Sequence, residues 1–263
     1  MNNGYAVITG ASQGLGEALT LELAGRGFGI IAVARTKDKL DAVAAACAAL
    51  NGGRTEVIAM DLGAPGAVTE LVAQLVRRAL PVQVLVNNAG YAVWGRFGDV
   101  PVDEHLRMLH LNTAVPMELT HRLLPHLRRH ARSYILNVSS MTAYSAVSTL
   151  ASYTGSKAFV RHWSRSLRMD MQGTGVEVCC VCPGTVLTGF TERAGMQALD
   201  KLAQKFGTPP GPVARSAVKA MLAGKAEVVP GLLDGITARL MRSLPDILTE
   251  RIASGIYIKH LPG

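Results

Sequence analysis

The 263-residue chain carries a formal net charge of +8 and is strongly apolar, with 49% hydrophobic and 17% charged residues. Such a composition supports a large buried core and excludes intrinsic disorder. The aromatic fraction of 5% is too low for a base-stacking platform, and the basic residues are scattered without a recognition motif, so we expect no nucleic-acid binding.

Membrane-spanning and secreted proteins are also not indicated. No run approaches the roughly 18 uncharged apolar residues that a membrane-spanning helix needs. The segment from Met1 to Thr9 leads straight into a strand-like run, without the basic and apolar regions of a signal peptide. We therefore expect a cytoplasmic protein.

The cysteines and histidines do not predict a metal site. Cys179, Cys180 and Cys182 crowd one apolar strand, where adjacent side chains point to opposite faces, and they are better explained as small buried residues. His126 and His130 stand four residues apart on a predicted helix but lack an evident third ligand.

Short β-rich runs alternate with amphipathic helical stretches along the chain. The predicted strands are Tyr5–Thr9, Gly29–Val33, Thr55–Met60, Val82–Val86, Tyr134–Ser139, Val176–Cys182 and Glu227–Val229. The predicted helices are Gly16–Arg26, Lys37–Leu50, Val68–Arg78, Val102–Arg129, Ser152–Gln172 and Pro212–Leu222. This order predicts an α/β fold with a doubly wound parallel sheet and helices on both faces. No repeat or linker interrupts it, so we predict a single domain over residues 1–263.

The alternation ends after Pro230, and residues 231–263 are predicted to be a helical C-terminal extension of the same domain. Gly231–Leu244 carries apolar residues at helical spacing, and a second helical piece follows Pro245. We favour a helix that covers the domain or a subunit partner. The alternatives are a lid over a substrate pocket or a surface helix that contacts a membrane peripherally.

A glycine-rich segment follows the first predicted strand and opens the first helix. Glycines let backbone N–H groups approach an anion, and the helix N-terminus adds partial positive charge. The segment therefore predicts a dinucleotide site, although its Gly-x-x-x-Gly-x-Gly spacing differs from the common Gly-x-Gly-x-x-Gly. Its candidate contacts are Gly10, Ser12, Gln13, Gly14, Leu15 and Gly16.

This glycine pattern, together with Asn87-Asn88-Ala89-Gly90 after the fourth strand and Tyr153-x-x-x-Lys157, resembles the short-chain dehydrogenase/reductase family. The resemblance covers residues 4 to about 230. It implies a Rossmann-type fold with a seven-stranded parallel sheet, a nicotinamide cofactor and oxidoreductase activity. It also implies a homodimer or homotetramer, paired through the helices Val102–Arg129 and Ser152–Gln172.

Arg35, at the end of the second strand, favours NADP(H) over NAD(H). An acidic residue there would bind the ribose 2′-hydroxyl, whereas arginine suits a 2′-phosphate. Gln13 departs from this pattern, since NADP-preferring relatives often carry a basic residue in that loop. By resemblance, the other cofactor contacts are Asp61 and Leu62 at the adenine ring, Asn88, Ala89 and Gly90 at the ribose, and Pro183, Gly184, Val186 and Thr188 at the carboxamide.

Four residues are predicted to perform the chemistry. Tyr153 and Lys157 stand four apart on one helix face, and a nearby ammonium should lower the pKa of the phenol so that it exchanges a proton with the substrate. By resemblance, both also contact the cofactor. Ser140, at the end of the fifth strand, can donate a hydrogen bond to the substrate oxygen. Asn112 resembles a fourth member whose amide distorts its helix and holds a water molecule leading to Lys157.

The segments after strands four, five and six should form an apolar substrate pocket. They supply Tyr91, Val93, Trp94, Met141, Tyr144, Val147, Leu150, Phe190, Met196, Leu199 and Phe206, with Arg96 and Arg193 as the nearby cations. We therefore expect an apolar ketone or secondary alcohol as the substrate. The alternative function is a non-catalytic dinucleotide sensor or scaffold, which would need the glycines and Arg35 but not Tyr153. An isomerase or dehydratase that uses bound cofactor is a third interpretation.

Overall fold

Seven parallel strands form one sheet in the order β3-β2-β1-β4-β5-β6-β7. The structure, a computed structural model, describes residues 4–261, without the side chains of residues 193, 202, 203 and 256. The strands are β1 (Tyr5–Thr9), β2 (Gly29–Ala34), β3 (Thr55–Ala59), β4 (Val82–Asn87), β5 (Ser133–Val138), β6 (Val176–Val181) and β7 (Glu227–Val228). The predicted doubly wound fold is therefore confirmed, with each strand boundary within one residue of its prediction.

Eleven α-helices cover the sheet and one edge of it in the described chain. They are α1 (Gly14–Gly25), α2 (Lys37–Asn51), α3 (Ala67–Arg77), α4 (Val102–Leu109), α5 (Val115–Leu127), α6 (Ala151–Asp170), α7 (Phe190–Arg193), α8 (Asp200–Phe206), α9 (Pro210–Leu222), α10 (Leu232–Ser243) and α11 (Asp246–Lys259). No helix in the described chain is both long and apolar enough to span a bilayer.

Two apolar layers separate the sheet from its helices, because alternate strand residues point to opposite faces. Helices α1, α2 and α9 pack on one face, where Ile8 and Leu23 are fully buried. Helices α3 and α5 pack on the other face, around Val7 and Leu119. Burial on both faces explains why the strands are continuously apolar.

A ladder of buried amides links the sheet to α6. The Asn87 amide nitrogen donates to the Asn137 side-chain oxygen at 2.8 Å, and the Asn137 amide nitrogen donates to the Ser164 hydroxyl at 2.9 Å. Asn87 also donates to the Thr120 hydroxyl of α5 at 3.0 Å. Leaving these buried donors unpaired would cost free energy, so the ladder favours one position of α6 on β4 and β5.

The predicted long helix Val102–Arg129 is interrupted. A π-helical turn, His110–Ala114, separates α4 from α5, and α5 ends at Leu127. Pro116 has no N–H to donate to the carbonyl of Asn112, which removes one α-helical hydrogen bond there. The local distortion expected around Asn112 is therefore present, as a change of helix type.

The short helices α7 and α8 were not predicted, because the segment after β6 has no long amphipathic period. In the tail, both predicted helical pieces are present, as α10 and α11. Pro245 separates them, since its ring fits the start of a helix but not the interior.

Candidate active site

A cavity of about 1390 Å³ runs along the carboxyl ends of the strands. This is the edge at which open parallel sheets bind ligands. The cavity is lined by every predicted cofactor contact except Gly14, namely Gly10, Ser12, Gln13, Leu15, Gly16, Arg35, Asp61, Leu62, Asn88, Ala89, Gly90, Tyr153, Lys157, Pro183, Gly184, Val186 and Thr188. Of the four predicted catalytic residues, Ser140, Tyr153 and Lys157 line it, and Asn112 does not.

Three glycines, here called the glycine cradle (Gly10, Gly14 and Gly16), fit a pyrophosphate group. Gly10 and Gly14 adopt left-handed backbone angles, with φ of +66° and +62°. A Cβ on Gly16 would lie 2.0 Å from the carbonyl oxygen of Gly10, and one on Gly14 would lie 2.9 Å from Cγ2 of Thr188. The backbone thus comes close to the cavity only because these positions lack side chains.

The glycine cradle is tied to the end of β4 by hydrogen bonds. The Thr9 hydroxyl accepts from the backbone N–H groups of Asn88 and Ala89, both at 3.0 Å. The Asn88 amide donates to the carbonyl oxygen of Thr9 at 2.9 Å and to that of Gly10 at 3.3 Å. Asn88 therefore has a structural task, since it fixes the turn that opens α1.

Two basic side chains line the end of the cavity beyond β2. Arg35 is one of them, and Lys39, four residues later at the start of α2, is the other. The Lys39 ammonium donates to the side-chain oxygen of Gln13 at 2.8 Å. Lys39 of α2 thus places a basic group beside the glycine-rich loop. Lys39 was not identified from the sequence, because its contact with Gln13 is made across 26 residues of chain.

The loop after β6 closes the cavity near its catalytic end. The carbonyl oxygen of Pro183 accepts from the backbone N–H of Met141 at 2.9 Å, which holds this loop beside the end of β5. Asp234 of α10 packs against Gly184, where an added Cβ would lie 2.5 Å from its carboxylate. Burial raises the pKa of Asp234, while the backbone N–H of Gly184 acts against that rise. Asp234, which also lines the cavity, was missed because it comes from the tail.

Tyr153, Lys157 and Ser140 converge at the end of β5. The Lys157 ammonium lies 5.7 Å from the Tyr153 ring centre and donates to the carbonyl oxygen of Val138 at 3.1 Å. The Ser139 hydroxyl donates to the carbonyl oxygen of Lys157 at 2.7 Å, so this serine braces α6 against the strand. Ser140 lines the cavity, and its hydroxyl accepts from the backbone N–H of Thr142 at 3.2 Å.

Burial raises the pKa of Tyr153 well above its usual value; the Ser140 hydroxyl acts against this rise, and the phenol of Tyr257 adds to it. Burial lowers the pKa of Lys157 to about 8. The expected lowering of the Tyr153 pKa by Lys157 is not found among the protein's own groups, because desolvation of the phenol dominates. At neutral pH Tyr153 therefore holds its proton, as a proton donor must.

Asn112 lies behind the cavity wall. Its amide donates to the carbonyl oxygen of Tyr91 at 3.0 Å and to the Ser156 hydroxyl at 3.1 Å, and its side-chain oxygen accepts from the N–H of Tyr91 at 3.2 Å. The lack of a side chain at Gly90 leaves room for this contact, since a Cβ there would lie 2.7 Å from the Asn112 oxygen. Asn112 thus joins the π-helical turn to the segment after β4 and to α6.

The apolar end of the cavity is formed by Tyr91, Met141, Val147, Leu150, Phe190, Met196, Leu199 and Phe206, as expected. Val93 and Trp94 instead pack behind this wall. Arg96 does not line the cavity, and the side chain of Arg193 lies outside the described part. The tail completes the lining with Met241, Ile252, Ala253 and Tyr257. These four residues were not identified as pocket residues from the sequence.

Tyr144 does not point into the cavity. Its hydroxyl donates to Glu227 at 2.7 Å, and its ring lies between the guanidinium groups of Arg161 and Arg242, at 4.4 and 4.7 Å. Glu227 also pairs with Arg161 at 2.8 Å, with Arg165 at 3.8 Å and with Arg242. This arginine cluster (Tyr144, Arg161, Arg165, Glu227 and Arg242) joins α10 to α6 and to the segment after Ser140.

Residues 4–198 match the model of the short chain dehydrogenase family. A ketoacyl reductase from Nostoc sp. is 33% identical over 226 residues, which are 85% of this chain and 77% of that protein. A very-long-chain 3-oxoacyl-CoA reductase from Pyricularia oryzae is 33% identical over 192 residues, or 72% of this chain. That match spans only 58% of the Pyricularia protein.

Solved structures give the same result. A short-chain dehydrogenase from Sphingobium yanoikuyae in complex with NADPH has a TM-score of 0.80 and 26% identity, covering 92% of this chain and 96% of that chain. A 7β-hydroxysteroid dehydrogenase has a TM-score of 0.80 at 24% identity, covers 91% and 93% of the two chains, and supports the fold alone. The chain belongs to the short-chain dehydrogenase family.

Proposed function

We propose that this chain is an oxidoreductase that moves a hydride between NADP(H) and an apolar ketone or the corresponding secondary alcohol. The observation that carries this proposal is the position of Tyr153, Lys157 and Ser140 at one end of a cavity whose other end has the glycine cradle. A cofactor bound along the strand ends would present its nicotinamide to these three side chains.

The protein's own groups account for the proton in carbonyl reduction. Tyr153, protonated because burial raises its pKa, donates to the carbonyl oxygen as that oxygen becomes a hydroxyl. Ser140 donates a hydrogen bond to the same oxygen and stabilises its developing charge. The Lys157 ammonium stabilises the phenolate left on Tyr153 and is suited to hold ribose hydroxyls. When bound, the reduced nicotinamide supplies the hydride that the carbonyl carbon receives.

The preference for NADP(H) is supported by Arg35 and Lys39. Together they present two cations at the end of β2, where the adenosine ribose binds in such sites. Asp38, between them in sequence, is exposed and does not line the cavity. The Sphingobium relative, which was solved with NADPH, agrees with this choice.

Single alanine substitutions test the cofactor preference. We expect Arg35→Ala to lower the ratio of NADPH to NADH affinity by about tenfold or more, because it removes a charge-assisted contact. Lys39→Ala should lower it by a smaller factor. Lys37→Ala is the matched control, because Lys37 pairs with Asp41 at 2.6 Å and does not line the cavity. Equal ratios in all four proteins would contradict the NADP(H) assignment.

The substrate proposal is supported by the apolar wall around Tyr153, with Met196 and Leu199 nearly fully buried. The Pyricularia relative is a very-long-chain 3-oxoacyl-CoA reductase and the Nostoc relative a ketoacyl reductase, and oxoacyl compounds combine an apolar chain with a ketone. We therefore propose 3-oxoacyl thioesters among the ketones that this chain reduces.

Oxidation of NADPH in the presence of a panel of ketones tests the reaction. Tyr153→Phe should lower kcat by about 10³-fold, because it removes the proton donor, while NADPH still binds. Tyr134→Phe is the matched control, since this buried tyrosine lies at the start of β5, away from the cavity. Binding of NADPH without turnover of any ketone by the unmodified protein would instead favour the dinucleotide sensor.

We also propose that the C-terminal tail contacts a membrane through a defined apolar surface. The apolar stripe (Leu232, Leu233, Ile236, Leu240, Leu244, Ile247, Leu248, Ile252 and Ile258) is exposed on α10 and α11, with Leu232 at 82% and Leu233 at 77% exposure. Ile252 also lines the cavity, so the stripe borders its opening. Arg239, Arg251 and Lys259 are exposed on the same helices and form no ion pair within the described residues; they outnumber the unpaired acidic residues Asp246 and Glu250, so the surface suits anionic lipid.

Flotation with vesicles of phosphatidylcholine and phosphatidylserine tests this surface. The double variant Leu232→Asp/Leu233→Asp should lose flotation, and Val76→Asp, which alters an exposed valine of α3, should keep it. Absence of flotation by the unmodified protein would overturn the membrane proposal. A dimer that the double variant dissociates would assign the stripe to a second copy. The homodimer or homotetramer and the cytoplasmic location stay predictions.

A further inference from the structure

Helix α11 is attached to the segment that contains Ser145 and Ser148 by hydrogen bonds of its side chains. The Ser254 hydroxyl accepts from the backbone N–H of Ser148 at 2.9 Å, and the Ser145 hydroxyl donates to the Thr249 hydroxyl at 3.3 Å. Thr249 is nearly fully buried, at 4% exposure. Both contacts lie in the segment that follows Ser140, so the tail has a defined position relative to the reacting groups.

Tyr257 lies one helical turn after Ser254 and therefore reaches the cavity from this fixed helix. Its ring packs in the apolar cluster that contains Tyr153, Met196 and Leu199. Its side chain lines the cavity, and its phenol is close enough to Tyr153 to help raise the pKa of that residue. Burial also raises the pKa of Tyr257 itself, so its hydroxyl is a neutral donor.

The Tyr257 hydroxyl has no hydrogen-bond partner among the residues that the structure describes. This hydroxyl is not among the fully buried unpaired atoms of the described residues, so it is open to the cavity that its side chain lines. The cavity is where such a partner would bind. Tyr257 stands beside Tyr153, whereas the ketone oxygen is already assigned to Tyr153 and Ser140. A substrate atom that binds the Tyr257 hydroxyl is therefore a different one from the reacting ketone oxygen.

We infer that Tyr257 is a specificity-determining residue that donates a hydrogen bond to a second carbonyl oxygen of the substrate. This inference rests on the proposed ketone reduction and narrows its substrate class. A 3-oxoacyl thioester has such an oxygen two carbons from its ketone, and a simple ketone does not. The tail thus selects β-oxo carbonyl compounds, while the sheet and α6 provide the chemistry common to all ketones.

Paired substrates test this inference. The kcat/KM for NADPH-dependent reduction is measured with a 3-oxoacyl thioester and with a monoketone of the same chain length. Tyr257→Phe keeps the ring and removes only the hydroxyl, so we expect the ratio of thioester to monoketone kcat/KM to fall about tenfold. Tyr134→Phe should leave this ratio as it is. The Kd of the 3-hydroxyacyl thioester product, measured by calorimetry, should rise by a similar factor only in Tyr257→Phe.

A ratio that changes less than about twofold in Tyr257→Phe would overturn the inference, since a lost hydrogen bond must appear as selectivity. If Tyr257→Phe does not fold, Tyr257→Met replaces it with another side chain that lacks the hydroxyl. Turnover of neither substrate by the unmodified protein would overturn the proposed reaction itself. Turnover of both with an unaltered ratio would overturn only the role of Tyr257.

Discussion

The two ends of the cavity are built in different ways. The dinucleotide end is made of backbone at the ends of β1 and β4, and it depends on positions where a Cβ cannot fit, such as Gly16. The substrate end is made of side chains from the segments after β4, β5 and β6 and from α10 and α11, and polar contacts such as those of Ser254 and Glu227 hold the tail there. Few substitutions can therefore be accommodated at the dinucleotide end, whereas the side chains that line the substrate end can change without altering the strands.

Among the variants that compare the two ends, the largest effect is expected at the dinucleotide end. Gly16→Ala places a Cβ 2.0 Å from the carbonyl oxygen of Gly10. We therefore expect the free energy of NADPH binding to weaken by at least about 3 kcal/mol, which is about 150-fold in affinity. Gly25→Ala is the matched control in the same helix, because nothing lies within 4 Å of its added Cβ. Calorimetric NADPH titration and thermal unfolding measure both variants. Equal behaviour of the two would contradict the tight packing of the glycine cradle.

The second prediction concerns the arginine cluster, which attaches the tail to the rest of the protein. Glu227→Gln removes the charge that Arg161, Arg165 and Arg242 share, and we expect unfolding to become easier by about 2 kcal/mol because Arg165 and Arg242 are half-exposed. Hydrogen exchange should speed up in α10 but not in β1. Glu177→Gln, which breaks the more exposed pair with Arg168, is the control. Uniform acceleration through both regions would contradict a local attachment.

Lys157 gives a pH dependence with a definite sign. Its folded pKa of about 8 lies below the unfolded value of 10.5, so the folded state holds fewer protons between these values and its stability rises with pH. From pH 8 to 9.5 this group should add about 1.5 kcal/mol to the free energy of unfolding. Urea unfolding of the protein and of Lys157→Met isolates the contribution by difference. A parallel pH dependence in both proteins would show that Lys157 is not desolvated.

The smallest expected effect concerns the substrate end. Ser254→Ala removes the contact with the N–H of Ser148, and we expect a loss of about 1 kcal/mol, seen as a roughly fivefold higher KM for the ketone. NADPH affinity should stay as it is, because Ser254 does not line the cavity. Ser243→Ala is the control, since among the described residues that hydroxyl bonds within its own helix, to the carbonyl of Arg239. A change in NADPH affinity would mean that the two ends are coupled.

The sheet and the dinucleotide end could be predicted because their signals are local. Continuous apolar runs identified all seven strands. The glycine pattern and the Tyr153-x-x-x-Lys157 pattern each span only a few consecutive residues. The roles assigned to Tyr144 and Lys39 could not be read in this way. Tyr144 turns toward Glu227, 83 residues later, and Lys39 meets Gln13 across 26 residues.

The pKa of Tyr153 and the orientation of the tail also depend on tertiary contacts that local sequence patterns do not reveal. The sequence places a lysine four residues from this phenol, but it does not reveal how completely both are desolvated. Apolar spacing predicted helices after Pro230, yet both sides of α10 carry apolar residues, with Ala238 buried and Leu232 exposed. Which side faces the cavity depends on tertiary contacts such as Asp234 against Gly184.

The ladder of buried amides sets the position of the Tyr153 phenol relative to the sheet. Sliding α6 along its own axis would separate Ser164 from Asn137 and leave buried donors unmet, at about 1–3 kcal/mol for each. Apolar packing alone tolerates such small translations, whereas matched donors and acceptors permit one register. The position of Tyr153 along α6 is thus set more than two helical turns away, by Ser164, which does not line the cavity.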